Sequence, residues 1–184
     1  MLASELIEFE REVACAFKCK RIRGPIHLAG GNEVELIEIF REIKEDDWVL
    51  STWRSTYHAL LKGVPRALVM DEILKGKSMM LHFPKYRFMT SAIVAGMCSI
   101  ACGLAAGGEK VWCFVGDMAG TTGNFHDAAQ FNKSERLKFI IEDNGFSTNT
   151  PTIAAWGGNL NSKWDRYEYM RTTEHCGTDE YVSF

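Results

Sequence analysis

The stretch FVGDMAGTTGNFHDA, residues 114–128, sets an acid inside a glycine-rich turn. Gly116, Gly120 and Gly123 punctuate it, between a strand end and a helix start. Such turns offer backbone N–H groups and a helix N-terminus to anions, phosphates above all. Asp117 conflicts with that use, because a carboxylate facing a bare pyrophosphate in a partly desolvated turn is repelled. A second acid-ended strand, LKFIIEDN, runs to Asn144. In an open parallel sheet, ligands bind outside the carboxyl ends of the strands, so Asp117 and Asn144 are expected to converge there.

Three chemistries suit these residues. In a dinucleotide site the three glycines would imitate G-x-G-x-x-G, with Glu142 or Asp143 as the ribose acid, but the spacing differs and Asp117 stays opposed to the pyrophosphate. A divalent cation between Asp117 and a diphosphate turns the repulsion into a bridge. Magnesium takes oxygen ligands in near-octahedral geometry, often one or two side chains with phosphate and water. Asp117 supplies a carboxylate, Asn144 an amide oxygen, and the backbone just after Asn144 a carbonyl. Alternatively, Asp117 only caps the helix that follows. The residues by themselves leave all three open.

The elements that must position these groups follow from periodicity. SAIVAGMCSIACGLAAGG is small and apolar all round and predicts a buried helix; KVWCFVGD predicts a strand, TTGNFHDAAQFNKSE a helix and LKFIIEDN a strand. This β-α-β unit implies a parallel sheet covered on both faces, an α/β fold with a doubly wound, mainly parallel sheet. Upstream, ASELIEFEREVACAFKCK predicts a helix with Ser4 as N-cap, and EVELIEIFREI a second. DDWVLSTW predicts a strand, STYHALLKG a helix stopped at Gly63, and VPRALVMDEILKGK a helix opened by Pro65. SMMLHFPKYRFMTS reads as an irregular structured loop, and KWDRYEYMRTT as a late strand.

With 184 residues the chain suits one domain, 1–184, able to bury about 70% of its unfolded surface without a disulfide or metal. A formal charge of −3 argues against a nucleic-acid partner, and the basic run KCKRIRG reads as a solvated helix end. No apolar run approaches the ~20 residues of a membrane span, and the acidic N-terminus is unlike a signal peptide, which predicts a cytoplasmic protein with no membrane partner. The six cysteines include no C-x-x-C pair and read as small, reduced, mostly buried residues.

GDMAGTTGNFHDA and IIEDNGFSTNTPT together resemble the thiamine diphosphate motif, which runs from Gly-Asp-Gly to an asparagine about thirty residues on. The chain is similar, over nearly its whole length, to the alpha subunit of the decarboxylating component of 2-oxo acid dehydrogenase complexes and acetoin dehydrogenases. GPIHLAGGNEVELIEI resembles that family's His-Leu-x-x-Gly-x-Glu segment, DDWVLSTWRSTYHALLKGVP its strand ending in Tyr-Arg, and GKSMM its Gly-Gly-Ser-Met-His. SAIVAGMCSIACGLA resembles its Gly-x-Val-Gly helix.

The resemblance implies a thiamine diphosphate-binding fold, with 150–184 as a shortened C-terminal extension. It implies that Asp117, Asn144 and the Phe146 carbonyl hold Mg2+, and that Trp53 and Arg54 reach the diphosphate. Gly116, Met118 and Ala119 would offer backbone to it; Ala92 and Val94 would touch the aminopyrimidine through main-chain atoms. His27 would face the reacting carbon, and His175 matches a late histidine loosely. The substrate would be a small 2-oxo acid or related carbonyl compound, and the cofactor the electron sink. The carboxylic acid that ionises the aminopyrimidine would lie on a separate beta-type subunit in an alpha2-beta2 assembly. Departures are Met118 for the second glycine of Gly-Asp-Gly, and Thr56 and Met80 where the family has histidines. They motivate an alternative, a non-catalytic subunit that keeps the fold for partner binding. Bland roles also exist: a backbone-bonded loop histidine for His27, a surface ion pair for Arg54, surface or packing roles for His58 and His82, packing for Trp156, Trp164, Tyr167 and Tyr169, and helix-surface charge for Asp127.

Overall fold

Side chains of two buried strands alternate between two cores, and that alternation organises the molecule. A computed structural model describes residues 1–147, 150–156 and 168–171. Strands β1 (Trp48–Ser51), β2 (His82–Phe83), β3 (Phe88–Thr90), β4 (Val111–Gly116), β5 (Leu137–Asp143) and β8 (Glu168–Arg171) form one sheet, in the order β2-β3-β1-β4-β5-β8. All neighbours are parallel except β2 and β3. A separate antiparallel pair, β6 (Phe146–Ser147) and β7 (Thr150–Pro151), follows β5.

Successive strand residues point to opposite faces. Trp112, Phe114 and Ile140 enter one core with helices α1 (Ala3–Lys18), α2 (Glu33–Phe40), α3 (Thr56–Leu61) and α4 (Arg66–Leu74). Val111, Cys113, Val115, Phe139 and Ile141 enter the other, with α5 (Gly96–Ala106) and α6 (Gly123–Phe131). A short helix α7 (Thr152–Trp156) follows β7. The protein is thus α/β with a mainly parallel sheet covered on both faces, as the β-α-β pattern implies. The late strand is present, as β8 against β5. No helix among the described residues is long and apolar enough to cross a membrane. Cys15, Cys19, Cys98, Cys102 and Cys113 are free thiols, the first two exposed and the others buried.

Three local expectations are corrected. Leu2, not Ser4, is the N-cap of α1, so Ser4 falls in the first turn. SMMLHFPKYRFMTS is more than a loop: it folds as the β2–β3 hairpin around a 3-10 turn, and Thr90 pairs with Ser51 in the sheet. The α5 helix is covered on one face only; Ser99, Ile100, Gly103 and Ala106 are exposed.

One glycine closes the gap between α1 and α4. Gly76 has φ +80°, and a Cβ there would stand 2.4 Å from the Arg23 carbonyl oxygen. Left-handed strain and the backbone overlap add, so Gly76→Ala is expected to lower stability by about 3 kcal/mol, read from urea midpoints.

Candidate diphosphate and cation cleft

The chain visits β1, moves out to β3, then returns across the sheet to β4. The crevice outside the carboxyl ends of β1, β4 and β5 sits at this reversal, where ligands bind in open α/β sheets. It encloses about 800 Å³ of atom-free space, open solvent included.

One wall comes from the ends of β4 and β5. Gly116, Asp117, Met118 and Ala119 line it with Glu142, Asn144, Phe146 and Ser147. Asp117 is 3% exposed. Its Oδ1 accepts the Met118 N–H at 2.8 Å and its Oδ2 the Thr152 hydroxyl at 2.5 Å. Burial pushes its carboxyl up to about 6; the bonds from Thr152 and Met118 oppose that shift, and the neighbouring Asp143 carboxyl adds to it. The capping alternative fails, because Thr122 is the N-cap of α6 and its hydroxyl oxygen accepts the Phe125 N–H. Asn144 opens a tight turn in which its Oδ1 accepts the Phe146 N–H at 2.9 Å, with Gly145 supplying φ +79°. Met118 is half-buried on this wall, with its sulfur 3.6 Å from the Thr121 hydroxyl.

The facing wall comprises Ala29, Gly30, Asn32, Thr52, Trp53, Arg54 and Val94. Trp53 Nε1 donates to the Ala92 carbonyl at 3.1 Å, which ties the segment after β1 to the one before α5. Ala92 and His27 are not among the lining residues. His27 is 3% exposed and packs against Trp53, ring centroids 4.8 Å apart. His175, Trp164 and Tyr167 lie outside the described residues. Asp127 and His82 are exposed.

Two polar groupings escaped the sequence reading. Across the cleft walls, Glu142 Oε1 accepts Asn32 Nδ2 at 3.1 Å and lies 3.3 Å from the buried His58 Nε2, while His58 Nδ1 is 2.6 Å from Ser51 Oγ. His58 also packs against Phe114 and Phe40, a packing role in line with the expectation, and the polar chain is additional. The second grouping surrounds Glu10, which is buried on α1 between Leu6, Phe9 and Val13. It accepts from the Thr56 hydroxyl and from the Ala29 N–H at 3.3 Å. Its sequence signal was an acid on the apolar stripe of a helix.

Desolvation pushes Glu10 up to about 7. A carboxyl raised on folding binds its proton more tightly in the native state. Stability is therefore full below the unfolded value of 4.5 and falls as pH rises towards about 7. Glu10→Gln is expected to flatten that slope, with a relative gain of about 3 kcal/mol at pH 8 over pH 4 as an upper figure. Urea melts at several pH values check it.

The architecture and crevice define an α/β protein with a cleft at the carboxyl ends of its strands, an acid on one wall and an arginine on the other. Residues 3–162 match the family model described as dehydrogenase E1 component. The chain belongs to that family. It is 28% identical over 165 residues to the alpha subunit of an acetoin:2,6-dichlorophenolindophenol oxidoreductase of Bacillus subtilis, covering 80% of this chain and 50% of the relative. The corresponding subunit of Cupriavidus necator is 27% identical over 161 residues, 78% of this chain and 48% of the relative. A mitochondrial pyruvate dehydrogenase E1 alpha subunit of Dictyostelium discoideum is 28% identical over 200 residues, 97% of this chain and 52% of the relative. The chain spans about half the length of these relatives.

Proposed function

We propose that this chain is the alpha-type part of a thiamine diphosphate- and magnesium-dependent enzyme acting on a 2-oxo acid or related carbonyl substrate. Its active site is shared with a beta-type partner. The observation that carries this reading is Asp117, a buried carboxylate on the same cleft as Arg54, at the strand ends that also deliver Asn144 and Phe146. Asp143, 6% exposed, adds a second desolvated acid nearby. Two buried carboxylates suit a site that gains a cation.

The residues fit magnesium with a diphosphate. Asp117 and Asn144 offer side-chain oxygens and Phe146 its carbonyl, and among the described residues no group of three or more acids, histidines and cysteines competes to hold a metal alone. Phosphate and water oxygens complete such a set. Arg54 supplies a planar donor fork for phosphate oxygens. Space at Gly116 is open, since a Cβ there would meet nothing within 4 Å. Bound thiamine diphosphate supplies a nucleophilic carbon and an electron sink for carbonyl chemistry. The chain's own work is to bind and orient the diphosphate end, while the partner supplies the acid beside the aminopyrimidine. Trp53 beside Arg54 is assigned to the diphosphate end and Val94 to the aminopyrimidine, and both line the cleft; His27 and Ala92, assigned to the reacting carbon and the aminopyrimidine, do not line it.

Magnesium needs the Asp117 carboxylate deprotonated. Its raised value, about 6, makes protons competitors at mildly acid pH. Magnesium-dependent binding of thiamine diphosphate is expected to be constant above pH 7 and to weaken about tenfold per unit below about 6. Calorimetric titrations at pH 5, 6 and 7.5 test this.

Met118 favours a second reading, a non-catalytic subunit, because its side chain lines the wall where the family has glycine. If crowding limits the site, Met118→Gly tightens binding of thiamine diphosphate about tenfold. No binding to either form, with a beta-type partner present, would support the scaffold instead.

A further inference from the structure

Two buried or half-buried glutamates reach the same pair of segments from different helices. Glu10, on α1, accepts from the Ala29 N–H and the Thr56 hydroxyl. Glu33, at the start of α2, has one oxygen that accepts from the Gly31 N–H at 3.2 Å and the Tyr57 hydroxyl at 2.9 Å. Each carboxylate therefore joins the backbone of 29–31 to the first turn of α3. Between these anchor points in sequence lies Arg54, two residues before Thr56 and close enough to Glu10 to act on it electrostatically. Ala29, Gly30 and Arg54 all line the cleft. The threonine that departs from the resembled pattern thus has a partner of its own.

We propose that Glu10 and Glu33 are positioning residues, a double carboxylate clamp that fixes the 29–31 backbone and the Arg54 segment as one anion-binding wall. The inference rests on the diphosphate reading of the cleft. Carboxylates suit the task because each oxygen accepts more than one hydrogen bond, so a single atom can tie an amide to a hydroxyl. The loop carries glycines at 30 and 31, and backbone of that kind has many alternatives to give up. A wall made of it needs an external tie.

The test uses the whole chain with its beta-type partner and thiamine diphosphate at saturating magnesium, with inorganic diphosphate as a second probe. Affinity is measured by calorimetry and set beside the unliganded melting temperature. Glu10→Ala and Thr56→Val are each expected to weaken affinity about tenfold or more, and Thr56→Ser to stay within twofold of wild type. Because Glu10 and Thr56 act through one bond, the double variant should lose little more than Glu10→Ala alone. Amide exchange on the unliganded chain should quicken at Ala29 in Glu10→Ala and at Gly31 in Glu33→Ala. If Glu10→Ala fails to fold, Thr56→Val and Glu33→Gln carry the same comparison. Variants that melt lower yet bind within twofold of wild type would overturn the clamp and leave the cleft reading standing. A wild-type chain that binds neither probe would overturn the cleft reading and the clamp with it.

Discussion

Asp117→Asn is expected to cost at least 100-fold in magnesium-dependent affinity for thiamine diphosphate while leaving the fold as stable as wild type or slightly more so. The two halves of that expectation have separate causes. In the unliganded protein the carboxylate is desolvated and faces Asp143, which together raise it to about 6. An uncharged amide removes both penalties, and its oxygen can still accept from the Met118 N–H or the Thr152 hydroxyl. In the liganded protein the same change deletes the anionic ligand that offsets the diphosphate charge. Metal sites lose affinity steeply when a ligand's charge goes, because water substitutes poorly for a carboxylate. A large fall in affinity with an unchanged melting temperature separates a binding residue from a structural one. Asp117→Ala adds a complication, since it strands the Met118 N–H and the Thr152 hydroxyl without an acceptor, a loss of about 1–3 kcal/mol.

Phe125→Ala is expected to destabilise the chain by about 3–5 kcal/mol. Phe125 is fully buried and meets Phe139 edge to face, ring centroids 5.2 Å apart. It sits in the first turn of α6, and its own N–H makes the capping bond to Thr122. The residue therefore pins the helix start to β5 immediately after the Asp117 loop. For a domain of this size the loss corresponds to a melting temperature lower by about 10 °C. Thermal unfolding measures it, and a fall below about 1 kcal/mol would mean that the loop is anchored elsewhere.

The parts of the molecule legible in the sequence are those where a local pattern dictates the answer. KVWCFVGD is apolar on both alternations and LKFIIEDN through Phe139, Ile140 and Ile141, so both strands read as buried on two faces and as members of a parallel sheet. From that topology alone Asp117 and Asn144 were expected at one crevice, where both now stand. The β2–β3 hairpin was not legible. Its strands are two and three residues long and flank Pro84, too short for a period to emerge. The exposed face of α5 was hidden for a different reason: a helix of small apolar residues carries no polar stripe to mark its outer side. The Glu10–Thr56 bond spans 46 residues, and the contact of His27 with Trp53 is likewise between segments far apart in the chain. Side-chain partners at such range follow from packing, which periodicity does not encode.

Family membership and cleft geometry point the same way, and they meet in the cation. The most direct test is a calorimetric titration of thiamine diphosphate into the chain, with its beta-type partner present, once with magnesium and once with a chelator. The account predicts saturable binding that requires magnesium and disappears in Asp117→Asn. Equal affinity in chelator, or tight binding of a nicotinamide dinucleotide with none of thiamine diphosphate, would contradict it.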